Sequence, residues 1–312
     1  MPVQITGRTE TEDLIPDQEV NEIIKMTPEQ SVMLSNARIV RMTSKKYKQP
    51  VLSTLPEAYW VDGDTGLKST SKTEWKGMTI TAEELAVIVP VPDAVIDDAS
   101  VPLWGEIRPL IAEAIGKKVD GAGIFGVDKP DSWPDGIVAA ATAAGNVVKR
   151  GTGKDLGVDV AMLGQKVTAQ GYGVNGFISK PGIQWELIGL RDTNGQPIYT
   201  PLAGTPNNGL YGYKLNEVMN GSWDSSKAEL IAVDWSKQLI GIRQDVTYQI
   251  FSEGVISDEN GKVLLNLMQQ DTKALRVVFR VGYQVAKPLT RVQGEVAYPG
   301  GVITPATVTP GA

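Results

Sequence analysis

With neither histidine nor cysteine in 312 residues, the chain offers carboxylates, lysines and glycine-rich backbone for chemistry. Disulfides, thiolate or imidazole metal sites, Cys nucleophiles and every triad with a His base are thereby removed. Glu83-Glu84 and Asp97-Asp98 are adjacent carboxylates, the residue type that general acid–base catalysis uses. Neighbours on a strand point to opposite faces, and acids ahead of a helix act as caps, so neither pair reads as an acid–base couple. Gly121-Ala122-Gly123-Ile124-Phe125-Gly126 matches G-x-G-x-x-G, but a dinucleotide site needs that string between a strand and the start of a helix. Here it closes a helical pattern, and no βαβ unit surrounds it. Gly153-Lys154 fails as a phosphate loop, because Val148 and Asp155 stand where Gly and Ser or Thr are needed. Asp62, Asp64 and Gly66 begin like a calcium loop, yet glycine takes the third ligand position. No catalytic, cofactor-binding or metal-binding residue is expected, although carboxylate or lysine chemistry in a soluble enzyme stays open as a remote alternative.

The element that everything else must position itself against is a helix. Between Asp97 and Gly126, apolar residues recur at Leu103, Ile107, Leu110, Ile111, Ala114, Ile115, Val119 and Ala122, steps of three and four that make one face. Asp97, Asp98 and Ser100 offer caps, Pro102 suits the first turn, Lys117 and Lys118 suit the C-terminal dipole, and Gly121 and Gly123 offer a stop. Pro109 should kink the axis. From 101 to 119 such a rod is roughly 28 Å long.

Charge is laid out in blocks. Residues 1–35 carry seven acids, including Glu10, Glu12 and Asp13, against Arg8 and Lys25. Residues 36–81 carry eight bases (Arg38, Arg41, Lys45, Lys46, Lys48, Lys68, Lys72, Lys76) against four acids, and residues 82–121 return to eight acids against three bases. The formal net charge is −6, with no basic stripe of the kind that coats nucleic acid. The first 35 residues show no sustained apolar face beyond a short helical pattern at 18–26, too little to order them alone. Ala37–Met42, Lys46–Leu55 and Trp75–Thr81 read as strands joined through Asp62-Gly63-Asp64-Thr65-Gly66, an extended basic ribbon with Tyr59, Trp60 and Trp75 as isolated anchors. A two-stranded ribbon is marginal by itself, so arm and ribbon both call for a partner surface. Thr79–Val91 reads as a buried strand, Leu156–Tyr172 and the stretch after Pro181 as helices, and Gly176–Ser179, Ala228–Val233, Gln238–Gln249 and Leu275–Val285 as strands. Val263–Gln270 reads as a helical turn and the Gly/Pro/Thr-rich tail from Pro299 as loosely held. Length and a 42% hydrophobic content fit about two domains. Nothing at the start reads as a signal peptide, and no apolar run is long enough to span a bilayer, so a soluble, non-secreted chain with no membrane partner is expected.

The order of elements, with short motifs along it, resembles the major capsid proteins of tailed bacteriophages, the Hong Kong 97-type fold. Phe125-Gly126 with Pro134-Asp135-Gly136-Ile137 is similar to that family's passage out of its spine helix. Phe177-Ile178-Ser179-Lys180-Pro181, then Leu187, Leu190 and Arg191-Asp192-Thr193-Asn194-Gly195, resembles its strand, helix and turn. Leu210-Tyr211-Gly212-Tyr213-Lys214-Leu215 resembles a further passage of the family, with Lys214 where Pro is usual, and Val233-Asp234-Trp235-Ser236 is similar to another, with Val233 replacing Gly. Asp271, Leu275-Arg276 and Arg280-Val281-Gly282 resemble the final strand.

The resemblance implies an α+β fold: an N-terminal arm (1–35), an extended loop (36–82), a peripheral domain (83–130 and 236–288, spine about 101–122), and an axial domain with the tail (131–235 and 289–312). It implies a non-catalytic shell protein of the virion, made in the bacterial host cytoplasm, that assembles with itself as pentamers and hexamers around packaged double-stranded DNA. DNA would be touched non-specifically by a neutral or acidic inner face. A separate scaffolding protein, a maturation protease, a portal protein and, as a further candidate, a decoration protein are the other implied partners. Inter-subunit contacts are expected at Glu10, Glu12, Asp13, Arg38, Arg41, Tyr59, Trp60, Lys68, Lys72, Trp75 and Lys76. Lys68, Lys72 and Lys76 also lie on the loop through which some relatives weld subunits by Lys–Asn isopeptide bonds. A cellular nanocompartment shell of the same fold is the alternative.

Overall fold

A computed structural model describes residues 31–306 except 55, 57, 59, 61–69, 98–102, 192–193, 197–208, 259, 289, 291 and 293–296. The described chain opens with helix α1 (Val32–Asn36) and strand β1 (Arg38–Arg41), then β2 (Lys46–Thr54) and β3 (Glu74–Thr81), which pair antiparallel with each other. Strand β4 (Glu83–Pro92), the short helix α2 (Asp93–Asp97) and the long helix α3 (Leu103–Asp120) follow. The middle of the chain holds α4 (Ile137–Ala143), β5 (Val147–Lys149), α5 (Leu156–Ala169), β6 (Gly176–Ser179), α6 (Ile183–Ile188), β7 (Gly209–Leu210), β8 (Tyr213–Glu217) and β9 (Leu230–Val233). Two long strands, β10 (Gln238–Phe251) and β13 (Thr272–Val285), flank a hairpin of β11 (Val255–Ser257) and β12 (Val263–Asn266), and β14 (Gly300–Thr304) comes last.

Two sheets organise these elements. One has four strands in the order β1-β10-β13-β4, with β1 parallel to β10 and the other pairs antiparallel. The other has six, β5-β14-β9-β6-β8-β7. The main core cluster runs continuously from the spine (Ile107, Ile111, Ile115, Val119) through β10 and β13 to Ile178 and Val302 in the six-stranded sheet. A second cluster fills the space between that sheet and α5 and α6.

Several expectations are corrected. The spine does not stop at Gly121 and Gly123: a π-helical turn carries it through Gly121–Phe125, and it ends at Gly126, whose φ of 72° is left-handed. Gly123 serves packing instead, since a Cβ there would lie 2.8 Å from Met33 Cε. On the spine's face Leu110 is 63% exposed and Ala114 is exposed, while Ala112 and Gly116 are buried. The buried stripe is therefore 107, 111, 115 and 119 with its next neighbours, rotated from the expected one. Asp97 is the last residue of the separate helix α2, and 98–102 lie outside the described residues.

The expected first ribbon strand is β1, and it joins the four-stranded sheet rather than the ribbon. Residues 263–266 form a strand, not a helical turn. The tail is not loose up to Thr304: β14 is an interior strand, held by β5 on one side and β9 on the other. Finally, the arm's last residues do carry an apolar face, because Val32, Met33 and Leu34 are buried in the main core. A five-residue helix is too short to show its period in sequence, and docking supplies what propensity lacks.

Candidate assembly surfaces

The ribbon is rooted by packing and bare toward its tip. Lys46 pairs with Thr81 at the root and Leu52 with Trp75 further out. Along β3 the side chains pass from exposed at Glu74 to buried at Ile80. At the root, Met42, Ile80, Ala82 and Leu239 form their own buried cluster. It fits because Gly241 and Gly282 face each other across β10 and β13. A Cβ on Gly282 would meet Thr81 O at 2.5 Å, and one on Gly241 would meet Met42 Sδ at 2.3 Å. The paired glycines make a notch through which the ribbon's base crosses the sheet.

A polar clasp holds the same root. Lys45 Nζ lies 3.3 Å from Glu83, Ser132 Oγ donates to Glu83 at 2.8 Å, and Gln284 Nε2 donates to Thr79 O at 3.2 Å. The Ser132 bond, helped by Lys45, draws the Glu83 carboxyl below its usual value. Glu84, facing the other way, accepts from Arg280 Nε at 2.9 Å and Nη2 at 2.7 Å, both on Oε2. The Glu83-Glu84 pair is thus consumed by structure on both faces.

A second node ties the end of the N-terminal segment to the spine. Asp120, fully buried, accepts from Ser31 Oγ at 2.6 Å, Met33 N at 3.0 Å, Val32 N at 3.1 Å and Asn220 Nδ2 at 2.6 Å. One carboxylate satisfies the free N–H groups of the α1 start and also holds the loop after β8. Burial pushes its pKa up, against the opposing pull of those bonds. A carboxyl whose folded value lies above the unfolded one gives its full contribution below the unfolded value and loses it as pH rises through the folded one. Local opening of residues 31–36, followed by amide exchange, is therefore expected to increase as pH rises through that range, and to lose this dependence in Asp120→Asn.

In the six-stranded half, four charges close a ring. Arg150 contacts Glu229 at 2.5 Å and Glu186 at 3.0 Å, and Lys180 contacts Glu186 at 2.8 Å and Glu229 at 3.5 Å. Burial pushes the Glu186 carboxyl up, but Lys180 and Arg150 outweigh it and the net shift is down. The ring braces α6, from which Trp185 projects 76% exposed.

Of the expected contact residues, Arg38 and Arg41 are exposed on β1, and Lys72, Trp75 and Lys76 are exposed at the outer ribbon. Trp75 is 66% exposed, Trp60 is 100% exposed, and Lys72 pairs with Glu74. Glu10, Glu12, Asp13, Tyr59 and Lys68 lie outside the described residues. The structure adds uncovered apolar side chains: Leu110 on the spine, Trp185, Tyr211 and Met268. Only Trp185 had a local signal, an aromatic on the polar side of a short helix.

The described surface thus carries exposed aromatic, aliphatic and basic side chains on the ribbon, the spine and α6. The model of the phage capsid family matches residues 11–290. The chain belongs to the phage capsid family. Its similarity to the major capsid protein of Staphylococcus phage 80alpha is 28% identity over 271 residues, 83% of this chain and 80% of that one. A solved structure from Microbacterium phage Oxtober96 is 36% identical with a TM-score of 0.80, covering 96% of both chains. One from Mycobacterium phage Adephagia is 31% identical with a TM-score of 0.79, covering 97% and 96%. The capsid of a native gene transfer agent particle, at 16% identity and a TM-score of 0.65, shares the fold. This capsid protein has the α+β capsid fold that the resemblance implied, and its function is that of a major capsid protein, building the shell of a tailed phage by self-assembly.

Proposed function

We propose that this subunit locks into its lattice chiefly through the ribbon, whose outer part covers a neighbouring subunit while its root stays on its own sheet. The observation that carries this is the gradient along β3, from buried Ile80 to Trp75 at 66% exposure. A fully covered Trp contributes roughly 1.5–3 kcal/mol, whereas an exposed Lys–carboxylate pair contributes about 0–1 kcal/mol. Trp60 and Trp75 are then the anchors, and Arg38, Arg41, Lys68, Lys72 and Lys76 meet acids of neighbouring subunits, while Glu10, Glu12 and Asp13 of the arm meet bases. In this reading 1–35 is the arm, 36–82 the extended loop, 83–130 with 236–288 the peripheral domain, and 131–235 with 289–312 the axial domain around five-fold and six-fold positions. The role is structural and non-catalytic. The shell's inner face is neutral or acidic and grips DNA only non-specifically, since neutralising phosphates would release counterions and bind. Scaffolding, protease and portal proteins act on the assembling shell in the host cytoplasm, and a decoration protein is a further candidate partner.

Substituting Trp75 by alanine tests it. The isolated subunit should lose less than about 0.5 kcal/mol in a denaturant melt, as surface changes do, while the yield of closed particles in electron micrographs falls steeply. Unchanged particle yield, or a wild-type chain that stays near 33.5 kDa under every assembly condition, would overturn the proposal.

A further inference from the structure

The chain contains five Asn-Gly pairs, beginning at Asn175, Asn194, Asn208, Asn220 and Asn260. In such a pair the glycine amide can attack the asparagine side-chain carbon, because no Cβ shields the nucleophile. The fold treats the pairs differently. Asn175 is held by Trp235 N and Asp234, with Gly176 inside the six-stranded sheet. Gly261 N is spent on Asp258 O at 3.0 Å. In the loop after β8, by contrast, Gly221 is exposed, has a φ of 72°, and its N–H donates no hydrogen bond to any described residue.

Three residues converge on Asn220 and Gly221. Ser222 N and Ser222 Oγ donate to Asn220 Oδ1 at 3.1 and 2.6 Å. This Asx turn folds the side chain back over the Gly221 peptide and aims two donors at a carbonyl oxygen that gains charge under attack. Asn220 Nδ2 lies 2.6 Å from Asp120 Oδ2, the buried carboxyl that anchors α1, so the departing nitrogen faces a group able to hand it a proton. Burial favours the protonated form of that carboxyl. A Cβ on Gly221 would stand 3.4 Å from Lys117 Nζ, and an ammonium beside the peptide stabilises the deprotonated amide that attacks.

We infer that Asn220 is a self-modifying site, at which Gly221 N closes an imide on the Asn220 side chain and water then opens it to aspartate or isoaspartate. Gly221 N bonds to Asn220 Cγ and loses its proton to solvent. The Cγ–Nδ2 bond breaks, and the nitrogen leaves as ammonia with a proton from Asp120, which takes another from water. Opening the imide consumes one water. The product sets a second carboxylate against Asp120, and two close acids resist ionising together. Asp120 also holds Ser31, Val32 and Met33, so the reaction is a one-way release of α1 from the spine.

The full chain, folded or in guanidinium, is incubated at neutral pH, and its peptides are followed by mass spectrometry. The imide is lighter by one ammonia, and the final product is heavier through exchange of NH for O. In the folded chain the Asn220 peptide should convert about tenfold faster than in guanidinium, while the Asn175 and Asn260 peptides convert more slowly than there. Ser222→Ala and Lys117→Gln should each slow Asn220 several-fold, and Asn220→Asp should show from the start the faster amide exchange at 31–36 that the converted wild type acquires. Conversion no faster in the folded chain than in guanidinium, or unchanged by both substitutions, overturns the inference. So does a peptide joining Lys117 to Asn220, which would make the lysine the nucleophile, or a converted fraction whose residues 31–36 exchange as before.

Discussion

Replacing Asp120 with alanine is expected to detach helix α1 from the spine at a cost of about 3 kcal/mol. The substitution leaves Ser31 Oγ, the Val32 and Met33 N–H groups and Asn220 Nδ2 without their shared acceptor. A hydrogen bond to a charged group contributes about 1.5–3 kcal/mol, so four would sum to more. Two effects hold the value down. Alanine also removes a carboxylate that burial disfavours, as its raised pKa shows, and bonds sharing one acceptor are not additive. Ser31→Ala, which removes one donor and the helix cap that Ser31 supplies to Leu34 N, should cost about 1 kcal/mol. Urea melts give the magnitudes, and limited proteolysis near residues 30–37 shows where the chain opens. If Asp120→Ala melts within 0.5 kcal/mol of wild type, with α1 still protected, the node is not what holds the arm.

Gly282→Ala is the second large effect, expected at about 2–3 kcal/mol, in the range of overpacked cores. The added Cβ would fall 2.5 Å from Thr81 O and 2.9 Å from both Thr81 C and Ile80 Cγ2. Two of those atoms are backbone, so the β3–β4 crossing must lift off the sheet. Its partner across the ladder behaves differently. At Gly241 the nearest atom is the Met42 sulfur at 2.3 Å, near the end of a flexible side chain, so Gly241→Ala should cost clearly less. Thermal melts should rank them in that order, and Gly282→Ala alone should also depress particle formation, because a displaced root re-aims the whole ribbon. Equal effects at both positions would show that the notch is not shaped by the Thr81 backbone.

Local pattern carried much of the fold. The spine's course, the ribbon strands β2 and β3, α5, β6 and the two long returning strands were legible from apolar spacing, as was the reading of the G-x-G-x-x-G string as the close of a helix and of Glu83-Glu84 as facing opposite ways. Where local pattern failed, a distant partner had decided. Leu110 and Ala114 fit a helical face as well as Ala112 does, but the elements that cover the spine chose the stripe through 107, 111, 115 and 119. The segment after Pro299 reads as loose on composition, yet Gly301 is small because Leu163 Cδ1 would stand 2.7 Å from any Cβ there. Val263–Asn266 has no helix breaker, and only pairing with β11 makes it a strand.

The contact surface divides the same way. Composition by itself determined that this chain has no thiol or imidazole chemistry, that its arm is acidic and its ribbon basic, and that Trp60 and Trp75 stand apart from any apolar stripe. These are properties of residue type and order, which no folding can alter. Tertiary structure alone decided that Gly241 faces Gly282, that Asp120 collects donors 87–100 residues away in sequence, and that Lys117 stands beside Gly221. Each depends on strand register or loop closure over long separations, where a shift of one residue would send the side chain to the opposite face.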